Sequence, residues 1–154
     1  MGTQQLLLIV LGVIIVGVAI AVGITIFNNQ AYNANQQAVA SELNTYGSMV
    51  LQWWKTPESQ GGAGKVDANL DVDEMAKAIG FIQTGNTLST DTGSFTIIDA
   101  DAAEAVQITG TGNEKKGNNY PFVTATVNLI SGKITAEIGT TTVAPVDPDP
   151  PAGT

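Results

Sequence analysis

The sequence has no cysteine and no histidine, its six basic residues are all lysine, and no charged side chain occurs from Gly2 through Ser41. Each absence removes a class of function. Without cysteine there is no disulfide framework and no thiolate for metal binding or nucleophilic attack. Without histidine, no side chain titrates near neutrality at its ordinary pKa. Without arginine there is no bidentate clamp for phosphate or carboxylate. A formal net charge of −8 opposes any phosphate-neutralising surface, so nucleic acid is not an expected partner. No Gly-x-Ser-x-Gly elbow and no phosphate loop occurs, and the glycine-rich stretches "QGGAG" and "GTGNEKKGNN" read as surface loops. The chain is expected to be no enzyme, with no catalytic residue, no cofactor and no metal.

Two acidic patterns come nearest to a site. In "DANLDVDE", Asp67, Asn69 and Asp71 alternate as in the opening of a calcium loop. Val72 stands where glycine is required, however, and Ala78 where the bidentate acid belongs. A solvated acidic loop is expected there, and Asp99 and Asp101 are expected to be turn residues. The Lys115-Lys116 pair is too small to form a basic patch.

What the sequence does have is "LLLIVLGVIIVGVAIAVGITIF", Leu6 to Phe27, with no charge and no proline. Twenty-two residues at about 1.5 Å each reach roughly 33 Å, enough for a hydrocarbon core of about 30 Å. A secretory signal would have a basic n-region and a shorter apolar run, so the segment is expected to persist in the mature molecule. Its sixteen Leu, Ile, Val and Phe side chains are each worth about 1.5–3 kcal/mol on leaving water, which forbids an exposed monomer. No Lys or Arg flanks the span to orient it by charge. The short N-terminus is placed inside because the acidic bulk must cross.

Beyond Phe27 the apolar residues become periodic. Tyr32, Val39, Tyr46 and Trp53 recur every seven residues with Leu43 and Val50 between them, which makes one face of a helix. Asn33, Gln37, Ser41, Asn44, Ser48 and Lys55 fall on the other side. Pro57 disfavours helix at Thr56, so one helix is expected from near residue 3 to about residue 55. A short helical turn follows, capped by Asp71 or Asp73 and ending at Gly80. Then come four strand-like runs, "SFTIID", "AVQITG", "FVTATVNLI" and "KITAEI", with Ser131-Gly132 as a hairpin turn. In "VTATVNL" the residues Val123, Ala125, Val127 and Leu129 alternate with polar ones, so one sheet face is buried and the helix stripe is its natural cover. The expected class is α+β: a hydrophobic helix over 1–27, its amphipathic continuation over 28–56, a small antiparallel β domain over 57–139, and a Pro-rich extended tail over 140–154.

Through Gln5-Leu6-Leu7-Leu8-Ile9-Val10-Leu11-Gly12-Val13-Ile14-Ile15 and this overall organisation, the chain resembles the type IV pilins and pseudopilins. The resemblance implies a membrane-inserted helix that becomes the core of a helical homopolymer, with the inner membrane and an assembly machinery as partners before a cell-surface filament forms. It assigns core packing to Gln5, Leu8, Leu11, Gly12, Ile15, Gly17, Ala21, Gly23 and Phe27, and helix-to-sheet packing to Tyr32, Val39, Leu43, Tyr46, Val50 and Trp53. The departures from the family pattern imply a divergent or leaderless branch. No basic leader precedes the span, Gln5 stands where the family has glutamate, and with the family's kinking proline missing Gly23 is the weak point. The pairs Gly17/Ala21 and Ala19/Gly23 suit close helix approach, although glycine is common in membrane helices in any case. A pseudopilin forming short assemblies, or a monomeric binding module on a single-pass anchor, shares the topology.

Overall fold

The computed structural model describes residues 2–66, 69–83, 85–100 and 105–146, with the backbone alone for residues 99 and 100. Helix α1 runs unbroken over Gly2–Lys55, through Gly23, and its 54 residues extend about 80 Å. It can do so because no proline occurs before position 57. Pro57 (φ −57°, ψ 147°) turns the chain out of the helix into a 3-10 turn at Glu58–Gln60. Helix α2, Val72–Ile79, is capped by Asp71, whose carboxylate accepts from the N–H groups of Asp73 (2.8 Å) and Glu74 (3.2 Å). It ends on Gly80 in the left-handed region at φ 96°.

The strands β1 (Thr87–Ser89), β2 (Gly93–Ala100), β3 (Ala105–Gly112), β4 (Tyr120–Asn128) and β5 (Lys133–Thr141) form one antiparallel meander in chain order. The fold is α+β, a long helix laid against a five-stranded sheet. Three sequence expectations need correction. Asp99 is no turn residue: it lies in β2 opposite Val106, while Asp101 falls outside the described residues. Strand β4 stops at Asn128 rather than Ile130, because the Asn128 side chain accepts from the N–H and hydroxyl of Ser131 and closes the turn. The tail does not begin at 140: Thr140 and Thr141 pair with Pro121 and Tyr120, so β5 continues past Gly139.

From Thr141 the chain returns across the sheet to the opposite edge. The Val146 N–H donates to Ser94 Oγ (3.0 Å), and the Ser89 hydroxyl donates to the Val146 carbonyl (2.9 Å). The remainder of the tail, 147–154, falls outside the described residues.

The core lies between α1 and one sheet face. Val39, Leu43, Val50, Trp53 and Trp54 meet Phe95, Ile97, Val106, Ile108, Val123, Ala125 and Val127, with Met75 and Phe81 closing the end near α2. Alternate burial along β4 follows the period of two that its sequence shows. Gly110 is fixed by this contact: a Cβ there would stand 2.8 Å from Val39 Cγ1 and 2.9 Å from the Phe95 ring.

Candidate functional site: the exposed half of the long helix

All sixteen Leu, Ile, Val and Phe side chains between Leu6 and Phe27 are 50–70% exposed. Nothing among the described residues packs on them. The one hydroxyl in the run, Thr25 Oγ1, donates back to the Ala21 carbonyl (3.0 Å), so it presents no unpaired donor to an apolar surrounding. This helix is long and apolar enough to cross a membrane.

The nine residues expected to form an assembly core are all exposed, and no other described element packs on any of them. At about 100° per residue, Gln5, Leu8, Leu11, Gly12, Ile15, Gly23 and Phe27 share one side of α1. Gly17 and Ala21 lie on the opposite side. A Cβ added at Gly12, Gly17 or Gly23 would meet nothing within 4 Å. These glycines are therefore not required by packing inside the subunit.

The six residues expected at the helix-to-sheet seam sit differently. Tyr32, Val39, Leu43, Val50 and Trp53 are buried, and Tyr46 is half-buried with its ring edge-on to Phe81 and Phe95, both at 5.1 Å. The seam also has members that apolar periodicity misses. Gly47 lets the helix approach closely, since a Cβ there would lie 3.1 Å from Ile134 and 3.2 Å from Val127. Asn35 ties α1 to two turns, donating to the Thr92 carbonyl (2.8 Å) and accepting from the Glu114 N–H (3.2 Å). Glu42, the single charge of α1 before Lys55, accepts from Thr92 Oγ1 (2.6 Å), Thr90 Oγ1 (3.3 Å) and Tyr46 Oη (3.4 Å). Burial, then the charge and hydrogen bond of Glu42, push the Tyr46 phenol above its usual range. The signal for Glu42 was its isolation: one acid in a long uncharged run needs polar partners of its own.

The chain matches no family model, no curated protein and no solved structure. Among the described residues no three His, Cys, Asp or Glu side chains gather to hold a metal. Asn69 and Asp71 serve the local turn and the α2 cap, and Asp67 falls outside the described residues. The Lys115 Nζ rests 5.8 Å above the Tyr120 ring. A cleft of about 500 Å³ opens between the end of α1 and Pro57, lined by Ser48, Leu51, Gln52, Lys55 and Thr56, which include no pair of titratable groups for proton transfer. The described residues present an exposed apolar helix at one end and a packed domain at the other.

Proposed function

We propose that the protein is the structural subunit of a helical, pilin-like filament at the cell surface, used for attachment or motility, and has no catalytic role. The rod of α1 holds it in the inner membrane before an assembly machinery draws it out, and the same rod then packs against copies of itself. One observation carries this reading: sixteen large apolar side chains that nothing among the described residues covers. Their transfer from water is worth on the order of tens of kcal/mol, so the rod must be in lipid or among partners.

Departure from lipid is favoured by what flanks the span. Thr3, Gln4 and Gln5 precede it and Asn28, Asn29 and Gln30 follow it, all uncharged. The first ionised side chain, Glu42, lies fifteen residues beyond Phe27, about 22 Å along the helix. Lysine or arginine at the membrane surface would tether the helix to lipid headgroups, and none is near. No ionised side chain between Thr3 and Gln30 therefore has to shed its water as the helix slides out.

Electron microscopy of material sheared from the cell surface tests the proposal, with fibres built of this chain expected. Subunits found only as membrane monomers would overturn it in favour of a single-pass anchored binding module.

A further inference from the structure

Among the described residues the two edges of the sheet are finished differently. Strand β1 has three residues, and its outer side is occupied. Gln83 and Thr87 exchange backbone hydrogen bonds, and the Ser89 hydroxyl donates to the Gln83 side chain and to the Val146 carbonyl. Strand β5 has nine residues, pairs with β4 along its whole length, and has no element beyond it. Its helix-facing side is also left bare. Ile134 is half-buried beside Gly47, but Ala136 is exposed and Ile138 is 63% exposed, although their partners Ala125 and Val123 are fully buried. A long strand edge with free backbone groups and an uncovered isoleucine is a template for another strand.

We infer that β5 pairs with β5 of a second copy, antiparallel, across a twofold axis at Thr135. With β1 blocked, a copy has only this edge to offer, so the contact uses the same strand twice and closes on itself. The faces match only when each residue meets one an even number of positions away. Among those registers, the one centred on Thr135 sets each Lys133 opposite Glu137 of the other copy on the solvent face. On the helix-facing side it sets Ile134 opposite Ala136. Centring on Lys133 or Glu137 would oppose like charges, and centring on Ala136 leaves Lys133 facing Gly139.

The polarity of this pair decides where it can form. The twofold axis reverses the second α1, so subunits that stand side by side in one membrane, or follow one another in one filament, cannot make it. Given the filament reading above, on which this step rests, the pair joins two filaments of opposite direction. A single strand pair is a small contact, but repetition along two filaments adds effective concentration at every step. The β5 edge thus acts as a lateral bundling surface.

The absence of native cysteine gives a clean test. In a Thr135→Cys variant the two Cα atoms would face each other at about 4.5–5.5 Å, within the range a disulfide spans. Mild oxidation of bundled filaments should convert most subunits to covalent dimers, whereas Thr124→Cys, in the middle of the sheet, should give none. Glu137→Lys should cut bundling at least about tenfold with single filaments intact, and Lys133→Glu combined with Glu137→Lys should restore it. Bundles unchanged by Glu137→Lys, or Thr135→Cys filaments yielding no dimer, would overturn the pairing. Preparations without any filament would instead overturn the polymer reading. The same oxidation in detergent micelles then decides the pairing alone: a dimer at position 135 sustains it and a monomer ends it.

Discussion

Residues 2–27 and residues 28–55 belong to one uninterrupted helix, yet among the described residues only the second half has a partner. The second half is held as most protein helices are, by an apolar stripe against a sheet. The first half buries nothing against the described residues, so no packing seen in the subunit accounts for it, and its stability is set by what surrounds it. The same backbone conformation therefore rests on two unrelated causes, and a substitution in one half should leave the property of the other untouched.

The largest expected effect is on the packed half. Leu43→Ala removes a fully buried side chain and should cost about 2–5 kcal/mol of domain stability, read as a lower thermal midpoint in detergent. Partition into membranes should not change. Ile15→Lys should do the reverse: a lysine at mid-span disfavours insertion by about 2.5–3.5 kcal/mol and should abolish filaments, while the domain melts as before. If Ile15→Lys also lowers the melting midpoint, the two halves are coupled and the comparison fails.

The same contrast explains what could be read before the fold was seen. Continuous apolarity and seven-residue recurrence are long-range patterns, and Leu6–Phe27 and the Tyr32-to-Trp53 stripe display them without help from the rest of the chain. The alternation in β4 was equally plain. Strand β1 was not, because three residues, Thr87–Ser89, are too few to show a period, and they are a strand only through pairing with β2. Asp99 has a turn former's side chain but is carried into β2 by its neighbours Ile97 and Ile98. The polar ties at Asn35 and Glu42 depend on where the β1–β2 turn ends up, which no local pattern fixes. As for the candidate site, the span was legible as a rod needing cover, but the bare edge of β5 was not. "KITAEI" reads like any half-buried strand until Ile138 is found exposed.

A smaller effect should appear only at alkaline pH. The folded state holds the Tyr46 phenol above the ordinary value of 10.0 because the neutral ring is buried and Glu42 repels the phenolate. The unfolded chain releases that proton more readily. The contribution is therefore fully present below about pH 10 and declines as pH rises through the higher folded value. Melting curves should show the wild type losing stability above about pH 10 faster than Tyr46→Phe does. Parallel declines would mean that the Tyr46 hydroxyl is as wet in the fold as out of it.

The smallest effect is expected where the two halves meet. Tyr32 is the first buried residue after the exposed span, 6% accessible, and its hydroxyl has no hydrogen-bond partner among the described residues. A buried hydroxyl without a partner costs about 1–3 kcal/mol, part of which Tyr32→Phe should recover by keeping the ring and removing the oxygen. A gain of about 1 kcal/mol in domain stability is expected for the subunit in detergent. If the variant is destabilised instead, the hydroxyl has a partner of its own, and the junction is held by a polar contact like those of Asn35 and Glu42. The packed half of α1 would then begin with a tie to the domain, and the rod would be less free of it than its bare surface implies.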